Sequence, residues 1–341
     1  MPPAIASALT AALETPEGMK QLLERYLAAN RFPPDVIRLN REMTDVLTPN
    51  RFQATTVPYF DKKDLSKGAP DPEQTVYGRF VADKYAYLEK DEIVVALSIW
   101  KGQTRIDAVS TTVTPVTVQK RMPDGTSTVV GTFTLSETAP ATPDGPRFVG
   151  KFSPAAAGLT GFNGYLRFSV SFSPRFMDPQ QTELTVLYTS ERPASFTGTF
   201  SDELRAGSVE VRVGVDVKKA GKYSIEGLLY AKGAPGKEDE PIALATFVGP
   251  LEIGMPDVAL TYYGLVFHDA KVPGPYVLKA VRGYLHEHSG DGHGPDIPEW
   301  TGTYLTKPYS LTDLTSAEWT SPQKQATVQA YKDQIAKLGG H

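Results

Sequence analysis

The spacing of apolar residues in the second half of the chain predicts β-structure. In Val209–Val217, valine occupies every second position, and Glu210, Arg212, Gly214 and Asp216 fill the positions between. Because the side chains of a strand alternate between its two faces, this segment has one apolar face for a core and one polar face for water. This pattern is typical of an antiparallel sheet packed on one side, as in a β-sandwich.

Apolar stretches of similar length recur along the chain, separated by turn residues such as Pro123-Asp124-Gly125. Short strands at such intervals favour sandwiches over alternating strands and helices. The first region has predicted strands at Ile93–Trp100, Val113–Lys120, Val129–Leu135, Arg147–Phe152 and Leu166–Phe172. The second has them at Leu184–Tyr188, Val209–Val217, Tyr223–Tyr230, Ile242–Val248, Val258–His268 and Tyr276–Leu285.

Both ends of the chain show helical spacing. Thr15-Pro16 provides an N-cap and a first helical residue, apolar residues follow at helical intervals, and Pro33-Pro34 ends the helix. Ser321-Pro322 opens a final helix whose stripe is Val328, Tyr331, Ile335 and Leu338.

The predicted fold class is therefore mainly β, with two Ig-like antiparallel β-sandwich domains, an N-terminal helix and extended segment, and a C-terminal helix. The predicted organisation is an N-terminal segment at 1–75, a first sandwich at 76–178 and a second at 179–288. Residues 289–341 are predicted to form a C-terminal loop and a helix packing on the sheets; the alternative is that the two terminal helices pack on each other.

Composition excludes several classes of protein. The 341 residues are 40% hydrophobic and 22% charged, with a formal net charge of −4, which is globular composition without the basic stripe of a nucleic-acid binder. No apolar run approaches the roughly 18–20 residues that span a bilayer. The absence of cysteine excludes disulfides, thiolate zinc sites and a cysteine nucleophile.

The first eighteen residues are alanine-rich but lack the basic region and the apolar block of a signal peptide. One interpretation is an intact cytosolic N-terminus. The other, which the Thr/Gly/Pro-rich β composition favours, is an envelope or extracellular protein whose export signal or lipidated cysteine has been removed.

The second sandwich resembles a module of uncharacterised secreted or surface proteins of bacteria, in which an Ig-like sandwich carries a Gly-x-Tyr hairpin and a later Gly-Pro-Tyr-x-Leu strand. The matching residues are Val215, Val217, Gly221, Tyr223, Leu229, Leu260, Gly264, Gly274, Pro275, Tyr276, Leu278, Arg282 and Tyr284. The first sandwich is similar to bacterial Ig-like or macroglobulin-like repeats through Asp83-Lys84-Tyr85 and Asp91–Trp100. The resemblance implies a fold and an envelope setting, and no catalytic residue.

The densest group of metal-capable side chains is His286, His288 and His293 with Asp291. Positions 286 and 288 share a parity, so both imidazoles lie on one face of a strand, and a third ligand can return from the following loop. Imidazoles with a carboxylate suit zinc or another divalent metal. The alternative is a solvated, glycine-rich loop with no metal. No other cofactor is predicted.

Other signatures of catalysis are missing. The glycines at 290, 292 and 294 precede prolines rather than a helix, so they do not form a phosphate loop, and there is no Gly-x-Ser-x-Gly elbow. Asp202-Glu203 and Glu238-Asp239-Glu240 fall in predicted loops, where we expect solvating charge.

Exposed aromatic rings on a sandwich can bind sugars. The candidates are Tyr262, Tyr263, Trp300 and Trp319, for which packing in the core or over sheet edges is the favoured alternative.

Three hypotheses about function follow. The first is a non-enzymatic envelope or secreted protein that serves adhesion, scaffolding or the docking of a protein partner. The second is a metal-binding module or metal-dependent enzyme that uses His286, His288 and His293. The third is an accessory protein that binds surface glycans. Enzymatic activity stays an open question, with a non-enzymatic protein favoured.

Overall fold

A computed structural model describes residues 15–50, 53–59, 73, 75–106, 108–122, 125–139, 148–287 and 292–339. Strands account for 51% of residues and helices for 17%, and a helix lies near each end. The predicted mainly β fold class is confirmed. Among the described helices, none is long and apolar enough to cross a membrane.

The strands, in chain order, are β1 (Val36–Arg38), β2 (Gln53–Tyr59), β3 (Val76–Ala82), β4 (Ala86–Leu88), β5 (Ile93–Lys101), β6 (Thr104–Arg105), β7 (Thr111–Val113), β8 (Val116–Arg121), β9 (Ser127–Phe133), β10 (Ser136–Glu137), β11 (Phe148–Phe152), β12 (Asn163–Pro174), β13 (Gln180–Thr189), β14 (Ala194–Arg205), β15 (Ser208–Val217), β16 (Gly221–Ala231), β17 (Glu240–Leu251), β18 (Asp257–Tyr262), β19 (Tyr276–Glu287), β20 (Gly292–Trp300) and β21 (Tyr304–Leu305). The α-helices are α1 (Pro16–Ala29), α2 (Thr44–Leu47), α3 (Gly264–Ala270) and α4 (Pro322–Gly339).

The first sandwich consists of two sheets. Sheet 1 has the order β10-β11-β5-β3-β2, with β6 paired to β5, and sheet 2 has the order β4-β13-β12-β8-β9, with β7 paired to β12. The alternation of Leu166, Phe168, Val170 and Phe172 along β12 turns all four side chains into the core between the sheets, where they are buried. Only β4 and β13 pair in parallel among the described strands of this sandwich.

The second sandwich packs sheet 3, with the order β1-β17-β16-β19-β20 and β21 paired to β19, on the smaller sheet 4, with the order β14-β15-β18. The alternate valines of β15 are completely buried in its core, as their spacing predicts. Glu210, on the opposite face of β15, is also buried, and it pairs with Arg205 at 3.1 Å and with Arg212 at 2.7 Å.

The N-terminal segment joins both sandwiches. β1 pairs with β17 at the edge of sheet 3, and β2 pairs with β3 at the edge of sheet 1. Between them, Leu39 and the partly buried Met43, Val46 and Leu47 cover the outer face of sheet 3. The predicted N-terminal extended segment therefore contributes an edge strand to each sandwich.

The helices at the two ends pack on each other. Thr15 caps α1 by accepting a hydrogen bond from the Gly18 amide at 3.1 Å. Tyr26 of α1 meets Tyr331 of α4 with ring centroids 5.7 Å apart. The ammonium of Lys324 donates to the carbonyl oxygens of Asn30 and Trp319, both at 2.7 Å. The C-terminal helix thus packs on α1, which is one of the two arrangements that the helical patterns predicted.

Strand pairing corrects three local predictions. Leu184–Tyr188 was assigned to the second sandwich, but β13 pairs with β12 and its apolar residues enter the first core. The stretch after residue 288 was predicted to begin as a loop, but β20 pairs with β19 at the edge of sheet 3. The predicted strand Val258–His268 ends at Tyr262, and α3 follows.

Candidate functional site

The structure places only part of the predicted metal cluster. His286 lies on β19, and its Nε2 is 2.8 Å from the Ser224 hydroxyl. The pairing of β19 with β20 sets the backbone of His286 opposite that of His293. His288 and Asp291 lie outside the described residues. Within the described part of the chain, no group of three histidine or acidic side chains is arranged to hold a metal ion.

A cleft of about 480 Å³ lies where the two sandwiches and the N-terminal segment meet. Its volume is within the range of about 300–1,000 Å³ found for small-molecule sites. Its described lining comes from three parts of the chain. The first sandwich contributes Tyr85, Ala86 and Leu88, and the N-terminal segment contributes Ile37, Asp45, Val46, Pro49 and Asn50. Sheet 3 contributes Glu226, Leu244, Arg282, Gly283, Tyr284, Asp296, Ile297, Pro298 and Glu299.

Asn50 fixes the N-terminal segment to the first sandwich. Its side-chain oxygen accepts hydrogen bonds from the amides of Tyr85 and Ala86, both at 2.8 Å, and its amide nitrogen donates to the Ala86 carbonyl at 3.1 Å. One side chain thereby replaces a strand partner along the edge of β4, because it satisfies main-chain donors and an acceptor together. The edge strand and the segment form one continuous wall of the cleft.

Arg282 fixes the same segment to the second sandwich. Its Nε donates to Glu226 at 2.9 Å, and its Nη2 donates to the Val46 carbonyl at 2.9 Å. Its third nitrogen, Nη1, is buried and has no hydrogen-bond partner among the described residues. An unsatisfied buried donor is costly, and this one belongs to a residue that lines the cleft.

Most charged side chains among the described residues that line the cleft are acidic. Asp45, Glu226, Asp296 and Glu299 contribute carboxylates, and Arg282 contributes the only cation within this described lining. Desolvation raises the pKa of Glu299 above its usual value, against the smaller opposing effect of Arg282. Glu299 as a whole is exposed at the rim of the cleft.

Tyr85 and Tyr284 place aromatic rings in the cleft. Burial raises the pKa of Tyr85 to about 12, with a further contribution from Tyr165 and a smaller one from Asp296. Tyr85 is therefore a neutral phenol at physiological pH. Tyr284 also lies 5.0 Å from the ring of His286, measured between ring centroids, so the predicted histidine neighbours the cleft without lining it.

Sequence reasoning missed this cleft because its residues come from segments that are far apart in the chain. One signal was available: Arg282, Tyr284 and His286 share a parity on β19 and therefore share its outer face. A charged residue, an aromatic residue and a histidine on one strand face indicate that another part of the protein partly covers this face. The sequence does not show that residues 37–50 cover that face.

The second concentration of polar groups surrounds Asp202, which lies in β14 and is buried, so its assignment to a solvated loop was wrong. Its carboxylate accepts hydrogen bonds from the hydroxyl of Tyr304, from the hydroxyl of Tyr309 at 2.5 Å and from the Lys307 amide at 3.2 Å. Burial, reinforced by this carboxylate, raises the pKa of both phenols. The cluster attaches the C-terminal tail to sheet 4.

Most of the aromatic candidates for a sugar platform are packed or hydrogen-bonded in the protein. Tyr262 is completely buried. The Tyr263 hydroxyl donates to the Ala317 carbonyl at 3.0 Å. The ring of Trp300 packs on Phe200 with centroids 4.4 Å apart. These contacts agree with the packing interpretation.

Fold and site together define a mainly β protein of two sandwiches, with an acidic and largely apolar cleft between them. Residues 193–286, from the start of β14 to most of β19, match the model of the C-terminal domain of DUF4785, a domain of unknown function. No curated protein matches the chain.

The solved structures to which the chain is similar include a DUF4785 family protein from Legionella pneumophila. The two are 19% identical with a TM-score of 0.40, and the match covers 70% of this chain and 57% of the Legionella chain. The alpha chain of the chicken interferon gamma receptor is 10% identical with a TM-score of 0.22, over 63% of this chain and 91% of that one.

Proposed function

We propose that this chain is a non-enzymatic binding protein of the bacterial cell envelope or exterior, and that the cleft between its sandwiches is the docking site. The observation that carries the proposal is the cleft itself, whose wall contains a buried guanidinium nitrogen without a hydrogen-bond partner among the described residues. Clefts between rigid units, apolar with a few convergent polar groups, are the usual place for ligands.

Docking is favoured over a purely spacing or adhesive role by the construction of the cleft. Asn50 and Arg282 hold the N-terminal segment against both sandwiches at hydrogen-bond distances of 2.8–3.1 Å. A segment held at both ends preorganises the site, and preorganisation lowers the entropy that binding costs. A spacer needs the two sandwiches but has no need of an open cavity between them.

The test is a thermal-shift screen of a diverse fragment library against the wild-type protein and two variants. Ala86→Trp fills the cleft from the edge of β4, and Ala330→Trp adds the same ring to the exposed face of α4 as a control. We expect fragments that stabilise the wild type and Ala330→Trp but not Ala86→Trp. Fragments that stabilise all three proteins equally, or no stabilising fragment, would contradict docking in the cleft.

The envelope or extracellular location rests on the resemblance to secreted and surface modules. Fractionation of a bacterium that carries the natural gene tests it. We expect the protein in the envelope or the medium, and recovery in the cytosol alone would overturn the proposal.

A metal site is the second candidate function, favoured by the backbone pairing of His286 with His293 across β19 and β20. Titration calorimetry with zinc ions tests it on the wild type and on His286→Ala, with His268→Ala as the control. One equivalent of zinc lost only in His286→Ala supports the site, and the absence of stoichiometric binding to the wild type removes it.

A further inference from the structure

We propose that two copies of this chain pair antiparallel along β9, so that sheet 2 continues from one copy into the other. This interaction is independent of docking in the cleft, because β9 lies at the opposite edge of sheet 2 from β4, which lines the cleft. The observations that support it are the exposure of β9, the direction of its backbone groups and the contrast with the other sheet edges.

The free edge of β9 is exposed to solvent. β9 pairs with β8 on one side, and on its other side Ser127, Thr128 and Val129 are exposed. Val129 has an exposed fraction of 55%. Within the described part of the chain, these three residues make no backbone hydrogen bond outside the pairing with β8. Such an edge presents unpaired N–H and C=O groups to an incoming strand.

The hairpin that joins β8 to β9 determines which backbone groups point to the free edge. The Met122 amide donates to the Thr126 carbonyl at 2.8 Å, so the carbonyl of Thr126 points towards β8. Because the bonding direction alternates along an antiparallel strand, Thr128 also bonds to β8. The N–H and C=O groups of Ser127 and Val129 therefore point away from β8, towards the free edge.

The sequence of β9 does not protect this edge. Natural sheet edges are protected from further pairing by charged residues, prolines, bulges or very short strands. The chain from Thr126 to Ser136 contains no charged residue and no proline. β9 has one irregularity of register, between Val129 and Gly131. Ser127 and Val129 come before it, in regular register with β8.

The other described edges carry such protection. β1, β4 and β7 have three residues each, and β6, β10 and β21 have two. β20 contains Pro295 and Pro298, and β2 contains Pro58. Both edges of sheet 4, which are β14 and β18, include charged residues. Among the described edge strands longer than three residues, β9 is thus the one with neither a charge nor a proline.

A second copy suits this edge because β9 is complementary to itself. A two-fold axis at Thr128 sets Ser127 opposite the partner subunit's Val129, and the two residues exchange both backbone hydrogen bonds. Thr128 then faces its own copy in a closely spaced pair, and no like charges meet along the strand. The two-fold pairing occupies both free edges, so association ends at the dimer.

The dimer is expected to be weak. A pairing through one short strand from each copy is smaller than the roughly 1,200–2,000 Å² interfaces of stable complexes. We therefore expect an equilibrium between monomer and dimer that depends on protein concentration.

Disulfide trapping tests the register, because the chain has no cysteine of its own. Thr128→Cys supplies one thiol at the proposed axis, where Cα atoms about 4.5 Å apart suit a disulfide. Thr199→Cys, at an exposed threonine of the edge strand β14, is the matched control. Under mild oxidation we expect Thr128→Cys to form a covalent dimer much faster than the control. Equal rates in the two variants overturn the pairing.

Sedimentation equilibrium over a range of protein concentrations tests the reversible dimer. The average mass of the wild type should rise with concentration from 37.1 kDa towards twice that value. Thr128→Lys sets like charges opposite each other and should raise the Kd of the dimer by about tenfold. Thr199→Lys should leave the Kd unchanged. A wild type that stays monomeric throughout, or equal Kd values in the two variants, overturns the inference.

Discussion

The Asp202 cluster and the cleft both gather carboxylates and tyrosines on the second sandwich, but they differ in how completely the chain satisfies them. Both oxygens of Asp202 accept hydrogen bonds, from two phenols and a backbone amide. In the cleft, Arg282 Nη1 has no partner among the described residues. Since folded proteins satisfy nearly all their buried polar groups, the first arrangement indicates stability and the second indicates binding.

Tyr262 shows that an unsatisfied group alone does not make a site. Its hydroxyl is buried and has no hydrogen-bond partner in the described part of the chain, as for Arg282 Nη1. However, Tyr262 lies in the closed core of the second sandwich beside Gly227, where an added Cβ would be only 2.7 Å from its hydroxyl. No ligand can reach it there. A site requires the unsatisfied group and a cavity together.

The largest loss of stability is expected from the substitution of Asp202, at the centre of the Asp202 cluster. Asp202→Ala leaves the buried phenol of Tyr309 and the half-buried phenol of Tyr304 without their acceptor. It should lower the free energy of unfolding by about 2–4 kcal/mol, measured by urea denaturation. Its neighbour Glu203 has an exposed pair with Arg212 at 3.2 Å, so Glu203→Ala should cost less than about 1 kcal/mol. Similar losses in both variants would show that Asp202 is not the anchor of the tail.

Arg282→Met tests the connection between the cleft and the N-terminal segment. It removes the hydrogen bond to Val46 and leaves Glu226 without its cation, so we expect a loss of about 1–3 kcal/mol. Limited proteolysis should also cut residues 36–50 faster. Arg41→Met is the control, because Arg41 pairs only with the exposed Glu238 and Glu240 among the described acids. Unchanged proteolysis in Arg282→Met would contradict the role of Arg282 in holding this segment.

Asp239 gives a pH-dependent prediction for a satisfied group outside the cleft. A hydrogen bond from Lys279 at 2.5 Å, followed by one from the Gly233 amide, holds the pKa of Asp239 below its usual value. The unfolded chain therefore takes up the proton first on acidification, so this stabilisation is complete above the usual aspartate pKa and is lost as pH falls through the lowered one.

We accordingly expect Asp239→Asn to lose about 1 kcal/mol at pH 7 and progressively less below pH of about 4, measured by urea denaturation across that range. Glu238→Gln, at a side chain that is 86% exposed, should show no such trend. A difference between the wild type and Asp239→Asn that does not change with pH would contradict the assignment.

The smallest change in the free energy of unfolding, and the only increase among these predictions, is expected from a substitution of Tyr262. Tyr262→Phe removes a buried hydroxyl without opening a large cavity and should raise the free energy of unfolding by up to about 1 kcal/mol. Tyr223→Phe is the matched control, because the Tyr223 hydroxyl donates to the Pro193 carbonyl at 3.1 Å and its loss should destabilise. Destabilisation by Tyr262→Phe would mean that its hydroxyl is satisfied in solution.

The sequence predicted the strands better than it predicted their partners. The alternating valines of β15 and the alternating residues of β12 identified buried faces correctly, since periodicity is a local property. β13 was assigned to the wrong sandwich, because an apolar strand of that length fits either core. The segment at β20 was interpreted as a loop because its glycines and prolines are typical of turns, and pairing at the edge of sheet 3 overrides that preference.

For the site, the sequence identified one neighbour and missed the lining. The spacing of the histidines identified His286 as a candidate. Its ring contacts that of Tyr284, which lines the cleft. The lining depends on residues 37–50 reaching across sheet 3, and on Asn50 reaching β4 in the other sandwich. No local pattern in that segment encodes either contact.

By itself, the sequence determined the mainly β class and the helix at each end, because the periodicity of strands and helices depends on residues that are close together in the chain. Only the tertiary structure decided which sheet each strand joins, which carboxylates are buried and where a cavity remains. Those outcomes depend on contacts between residues that are distant in the chain, and the cleft exists because three such segments meet without filling the space between them.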